Sequence, residues 1–299
     1  MCSGVSENRN QNLNSESCGN RNGVLTLSSL ENAVSAKINQ PSVAGEYDAS
    51  MQALLQLVWG DGFLSAGGEE EVARLLEGTD ISGCHVLDIG CGLGAIDELL
   101  VSRHGAGSVI GIDVDPALLL QMDARIRRAG LADRIRSRLV EPGPLPFADC
   151  SFDVVFSKDS LVQIPQKTAL FAEVKRVLHP DGRFIASDWL RAGEGAFSAA
   201  MLEFFRLEGI AYNMASLAQS EAALRAAGFV EVKGRDRNDW YLALAKRELA
   251  AMEGSLKPVI LEAIGPDRSR HFLANWRQLV VVLARGELRP AHLSARAPR

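Results

Sequence analysis

Val86-Leu87-Asp88-Ile89-Gly90-Cys91-Gly92-Leu93-Gly94-Ala95 is a short apolar run closed by three glycines at alternate positions. His85 to Ile89 is too short and too rich in branched residues for a helix, and the glycines tolerate φ > 0 and let a ligand lie directly on the backbone. Helical apolar spacing follows from Ile96 to Leu100 and on to Arg103. The stretch therefore reads as strand, tight turn and helix, with the N–H groups of the first helical turn pointing at whatever the turn holds.

Downstream the pattern alternates strand and helix. Strands are expected at Ser108 to Val114, Ile135 to Val140, Asp153 to Ser157, Arg183 to Asp188 and Val230 to Lys233, with helices at Pro116 to Ala129, Gln166 to Leu178 and Glu221 to Ala227. Such alternation predicts an α/β Rossmann-like fold with a mostly parallel, seven-stranded sheet covered by helices on both faces. Upstream, amphipathic helices are expected from Tyr47 to Trp59 and Glu69 to Leu76. Downstream, helices from Leu242 to Ile264 and Asp267 to Ala284 lead to a last strand at Leu288 to Ser294, which Pro290 should break or confine to an edge. The chain divides accordingly into a disordered Asn/Ser-rich tail (1–23), N-terminal lid helices (24–76), a cofactor-binding domain (77–240) and a C-terminal helical extension with a final edge strand (241–299).

The 299 residues are 47% apolar, enough for one large core with additions, and the net charge is −5. With no global positive field, neither nucleic acid nor an anionic membrane is expected as a partner. The five cysteines lack the paired spacing of a zinc site or a disulfide scaffold, so a reducing cytoplasm and no metal are expected. No basic segment followed by an apolar run opens the sequence, and no run of about 18 apolar residues occurs, so a soluble, unprocessed protein is expected.

The glycine spacing from Gly90 through Gly92 to Ala95 also satisfies a dinucleotide pattern, so the loop alone leaves two cofactors open. Asp88 is expected near the loop, where it would repel a pyrophosphate and attract a cationic amino-acid group. S-adenosylmethionine carries both an ammonium and a sulfonium. Asp113 ends the second strand about twenty residues after the loop, where a carboxylate accepts ribose hydroxyls. Glu141, after the third strand, is placed to accept an adenine amino group. Val114, Pro142, Ser157, Gly92 and Gly94 complete the expected cofactor contacts.

Asp88-x-Gly90-x-Gly92-x-Gly94, Asp113, Phe152-Asp153-Val154-Val155 and Leu178-x-Pro180-x-Gly182 together resemble the class I S-adenosylmethionine-dependent methyltransferases. Tyr47, the segment from Trp59 to Gly68, Ser157-Lys158-Asp159-Ser160-Leu161 and Ser187-Asp188-Trp189 resemble, more narrowly, the phosphoethanolamine N-methyltransferases. That resemblance implies that Leu64 and Ser65 line the cofactor, that Gly90, Asp113 and Glu141 hold it, and that Tyr47 lids the acceptor.

The departures bear on the acceptor. Gln163 stands where the family has a catalytic histidine, four residues after Asp159, and the family's phosphate-gripping arginine and lysine fall on Ile210 and Ala274. A protonated amine needs a base before it can attack a methyl group, whereas a thioether does not. The expectation is thus a methyltransferase for a small, polar, amino-acid-like metabolite, with S-methylation of a thioether such as methionine preferred and N-methylation of a small amine as the alternative. Bacterial methionine S-methyltransferases show that the class can act on sulfur. Tyr47, Asp159 and Gln163 are the catalytic candidates, and Tyr47, Trp189 and Tyr212 the substrate-binding ones, with Phe63 in an aromatic wall and Arg270 or Arg277 for a carboxylate. His179 would lie at the wrong end of the sheet for a base. A nicotinamide-dependent oxidoreductase or a non-catalytic binding module would also explain the glycines. The C-terminal helices either close the acceptor pocket or form a homo-oligomer interface.

Overall fold

The computed structural model describes residues 48–299 apart from Ala211. The tail 1–23, the helical spacing of 24–37 and Tyr47 lie outside the described residues. Two helices, α1 (Ala49–Trp59) and α2 (Gly68–Leu75), precede β1 (His85–Ile89), α3 (Ala95–Ser102), β2 (Ser108–Asp113), α4 (Pro116–Arg128) and β3 (Ile135–Leu139). The chain continues through β4 (Phe152–Lys158), α5 (Lys167–Val177), β5 (Leu178–Asp188), α6 (Ala199–Glu208), α7 (Leu217–Ala226), β6 (Val230–Asp236), α8 (Asn238–Glu253), α9 (Lys257–Ala284) and β7 (Ala291–Arg296).

The strands form one seven-stranded sheet in the order β3-β2-β1-β4-β5-β7-β6, parallel except that β7 runs antiparallel to both β5 and β6. Side chains alternate across it, as the pleat requires. Val86, Val154 and Phe156 face a layer built on α2, α3 and α4, whereas Leu87 and Val155 face α5 and α7. A third core joins α1, α6, α8 and α9 through Leu55, Phe204, Tyr241, Phe272 and Trp276. It forms a helical cap.

Two expectations need correction, and one helix had none. The last strand is interior, not an edge: β7 pairs with β5 through Arg183↔Arg296 to Asp188↔Ala291 and with β6 on its other side. Pro290 falls just before the strand, where its missing N–H costs no ladder bond and its carbonyl accepts from the Arg237 N–H at 2.8 Å. The helix expected over Leu242 to Ile264 ends at Glu253, because Gly254 (φ −109°, ψ −104°) leaves helical geometry, and α9 bends at Gly265 (φ 75°) before Pro266. Helix α6 was not anticipated, although Met201, Leu202, Phe204 and Phe205 carry helical spacing and Gly209 caps them in the left-handed conformation.

A buried ion cluster ties the cap to the sheet. Glu71 on α2, fully buried, accepts from Arg237 Nε at 3.1 Å and Nη2 at 2.6 Å, and its Oε1 lies 2.6 Å from His292 Nε2 on β7. Two partners for one buried carboxylate offset much of its desolvation. Among the described residues no helix is long and apolar enough to cross a membrane.

Candidate active site

Sheet order reverses between β1 and β4, and a cavity of about 820 Å³ opens at the carboxyl ends of those strands. Gly90 and Gly92 form its floor with φ of 81° and 55°. Glycine is required at Gly90, because a Cβ there would lie 2.1 Å from Ser160 Oγ and 2.4 Å from Ser160 Cβ. Over the loop arches the segment joining α1 to α2. Leu64 Cδ1 would be 3.5 Å from a Cβ on Gly92, and Lys158 Nζ fixes the arch by donating to the Ala66 carbonyl at 2.8 Å.

Asp113 ends β2 inside the cavity. Its Oδ2 accepts from the Gly92 N–H at 3.0 Å and its Oδ1 from the Asp115 N–H at 3.0 Å, so the carboxylate is fixed before any ligand arrives. Burial nevertheless raises its pKa, a cost that the backbone donors only partly offset. Val114, Glu141, Pro142, Leu64 and Ser65 line the same cavity. This set suits an adenosyl group: a fixed carboxylate for ribose hydroxyls, a second carboxylate beyond it, and a loop without side chains.

Asp88 does not face the loop. It shares the strand parity of Val86, so its side chain points into the α3 layer and is 1% exposed, beside Asp97 of that helix. Gly94 also turns away from the cavity: it caps α3 in the left-handed conformation, and a Cβ there would meet Met122 Cγ at 2.6 Å. Ser157 is fully buried and donates to the Ile89 carbonyl at 2.8 Å, which joins β4 to β1 below the cavity.

Just beyond the carboxyl end of β4, Asp159 adopts a left-handed conformation (φ 60°), uncommon for a residue with a Cβ. Its Oδ2 takes a hydrogen bond from Lys158 Nζ at 2.6 Å and its Oδ1 one from Ser187 Oγ at 3.3 Å. Burial raises the Asp159 pKa against the pull of Lys158. Gln163 lines the cavity in the turn beyond, and its carbonyl accepts from Asn213 Nδ2 at 3.1 Å, so the turn is tied to the segment carrying Tyr212.

The cap completes a chamber that sequence reasoning reached only in part. Phe63, Trp189 and Tyr212 line the cavity as expected for an aromatic wall, joined by Trp59, Phe204, Phe272 and Trp276. The two indoles are set by one carboxylate: Trp59 Nε1 and Trp276 Nε1 donate to the two oxygens of Glu248 at 3.0 and 3.2 Å, and burial pushes that carboxyl up to about 7. Ile210 lines the chamber, while Arg270 and Arg277 lie outside it, paired with Asp267 and Glu253 on the surface. Glu208 and Asn275 were missed. Asn275 was legible as the polar interruption of the stripe Phe272, Trp276 and Leu279; Glu208 lies at the end of the unanticipated α6.

A family model described as a methyltransferase domain matches residues 87–186. Phosphoethanolamine N-methyltransferase 1 of Arabidopsis thaliana is 31% identical over 209 residues, 70% of this chain and 41% of that protein. The 27-O-demethylrifamycin SV methyltransferase of Amycolatopsis mediterranei is 30% identical over 203 residues, 64% of this chain and 74% of that protein. Among solved structures, phosphoethanolamine N-methyltransferase 2 of Haemonchus contortus, in complex with phosphomonomethylethanolamine and S-adenosylhomocysteine, shares the fold with a TM-score of 0.78 at 22% identity, covering 85% of this chain and 59% of that one. The chain belongs to the class I S-adenosylmethionine-dependent methyltransferases. Within that class it resembles the phosphoethanolamine N-methyltransferases, and it spans less than half the length of those curated relatives.

If Asp113 holds the cofactor, Asp113→Ala should weaken S-adenosylhomocysteine binding about ten-fold, the loss of one charge-assisted hydrogen bond and of the loop's anchor. Calorimetric titration would measure it, and unchanged affinity would remove Asp113 from the site.

Proposed function

We propose that the protein transfers a methyl group from S-adenosylmethionine to the nitrogen of a small-molecule amine. The carrying observation is the charge of the cavity. Asp113, Asp115, Glu141, Asp159, Glu173 and Glu208 line it, whereas Lys158 is its one lysine or arginine among the described residues. The Lys158 ammonium is already held by Asp159 and the Ala66 carbonyl. An anionic lining attracts a cationic acceptor and offers a phosphate nothing to grip.

Gly90, Gly92, Asp113, Val114, Glu141 and Pro142, with Leu64 and Ser65 above, would hold the cofactor. Bound there, it supplies an electrophilic methyl group. The amine must lose a proton before it attacks, and no imidazole lines the cavity among the described residues. Burial raises the carboxyls of Asp159 and Glu208, so each accepts a proton more readily than an exposed carboxylate would. The fixed aromatic wall excludes water and orients the acceptor, the part of catalysis that positioning supplies.

One observation favours a second reading, S-methylation of a thioether such as methionine. Gln163 places an amide where the resemblance leads one to expect a base, and a thioether needs none. Incubation with labelled cofactor and separate panels of amines, thioethers and phosphoethanolamine tests both. Transfer to amines is expected; transfer confined to thioethers would overturn N-methylation.

A further inference from the structure

We infer that Glu248 is a positioning residue: from outside the cavity its carboxylate clamps the indoles of Trp59 and Trp276, and so couples the arch over the glycine loop to the wall of the acceptor chamber. This goes beyond the choice of acceptor and holds for an amine or a thioether alike. It rests on the cofactor lying under the arch, a premise that Gly90→Val tests separately.

The clamp joins elements far apart in sequence. Trp59 ends α1, Trp276 lies in the C-terminal half of α9, and Glu248 is carried by α8. Both indoles line the cavity with ring centroids 5.5 Å apart, whereas Glu248 does not line it. An indole N–H only donates, so two of them meeting from different helices need a group with two acceptor oxygens. The carboxylate is that group and accepts from both, at 3.0 and 3.2 Å. Glutamine would offer one acceptor and set its own N–H groups against the second indole. An apolar side chain would fill the space without the desolvation of a carboxyl; what the carboxylate adds is a fixed position for both rings.

Trp59 leads directly into the arch. The Gly60 N–H donates to the Gln56 carbonyl at 2.9 Å, the Gly62 N–H to Gln56 Oε1 at 2.8 Å and the Phe63 N–H to the Gly60 carbonyl at 3.1 Å. Those bonds leave little slack between Trp59 and the cavity-lining Phe63 and Leu64. The far end of the arch is held by Lys158 at the Ala66 carbonyl and packs on Trp240 of α8, whose ring would lie 2.7 Å from a Cβ on Gly67. Glu248 thus fixes the near end of the arch as Lys158 fixes the far end. Through Trp276 the same carboxylate reaches Phe272 in the chamber wall, 4.8 Å away between ring centroids.

The clamp needs the carboxyl ionised, since a proton on either oxygen sets a donor against an indole N–H. Burial raises this carboxyl to about 7, against both indole bonds and the positive charges of Arg247 on its own helix and Lys158 on β4. Holding the arch down on the cofactor favours the ionised form, so affinity for the cofactor product should rise with pH through that range.

The test is calorimetric titration of the full chain with S-adenosylhomocysteine, on variants shown to be folded by circular dichroism. Glu248→Leu should weaken binding about five-fold and Glu248→Gln about two-fold, since glutamine keeps one indole bond. In a Trp59→Phe background, where one acceptor suffices, Glu248→Gln should change affinity by less than about 1.5-fold. Between pH 6 and 8 the affinity of the unaltered protein should rise about three-fold more than that of Glu248→Gln, a comparison in which the titration of Asp113 cancels. A side chain that merely filled space would leave the two pH profiles parallel. Parallel profiles, or affinity in folded Glu248→Leu within about 1.5-fold of the unaltered protein, would overturn the inference. If Glu248→Leu does not fold, the pH profiles and Glu248→Gln still decide it.

Discussion

Gly90→Val should weaken S-adenosylhomocysteine binding by about 100-fold or more, measured calorimetrically on protein shown to be folded by circular dichroism. Two causes add. The backbone at Gly90 has φ 81°, where a β-branched residue is strained by about 1–2 kcal/mol. The new Cβ would also overlap Ser160, with 2.1 Å to its Oγ and 2.4 Å to its Cβ, so the loop or the β4 turn must move. Both segments line the cavity, and either movement distorts the proposed cofactor cradle. Combining Gly90→Ala with Ser160→Gly separates the causes: it removes the overlap and leaves the backbone strain, so it should recover part of the affinity. Wild-type affinity in Gly90→Val would show that the ligand does not lie on this loop.

Asp97→Asn should stabilise the fold at pH 8 by on the order of 3 kcal/mol, and by little near pH 4. Burial pushes Asp97 up to about 7 and Asp88 well above its ordinary value; the Asp97 charge makes Asp88 harder to ionise, whereas a protonated Asp88 eases the ionisation of Asp97. All four oxygens are buried without a hydrogen bond of standard geometry, so burial outweighs the relief that Asp97 receives from the backbone and from Asp88. A carboxyl raised in the folded state contributes fully below about pH 4, where the unfolded chain is protonated too. Its contribution is lost as the pH climbs through the folded pKa, here from about 4 to about 7 for Asp97. Asparagine keeps the shape, cannot ionise, and can donate to Asp88. Urea unfolding of both proteins at pH 5, 6.5 and 8 would reveal diverging stabilities; parallel pH profiles would mean that the pair shares no such penalty.

Asp88 also shows where sequence reading runs out. The alternation Val86, Asp88 against Leu87, Ile89 was legible, and so was the strand that carries it. Which parity would meet α3 depended on how the helix returns over the sheet, a tertiary fact that no local pattern encodes. The glycine loop and Asp113 were legible because the chemistry acts within one strand–turn–helix unit and the strand after it. The chamber was not, since α1, α6, α8 and α9 each contribute a few residues and their packing decides which ones meet. Glu208 and Asn275 illustrate this: each alone looks like an ordinary polar residue on a helix. Pro290 misled for a related reason, because a one-residue difference in where β7 begins separates a broken strand from an interior one.

The interior position of β7 has a further consequence. Asp236 at the end of β6 and Ala291 at the start of β7 are register partners, so residues 237–290, which carry both α8 and α9, leave and re-enter the sheet at adjacent points. Topologically the two helices are a long loop of a hairpin, whose ends stay about 5 Å apart whatever its length or composition. Most of the residues that would grip an acceptor on that side can thus be exchanged as a cassette, while the sheet and the glycine turn keep their register. A chimera carrying the corresponding segment of another class I methyltransferase should retain the cofactor site and acquire a different chamber wall, which makes this hairpin a natural graft point for redirecting acceptor choice.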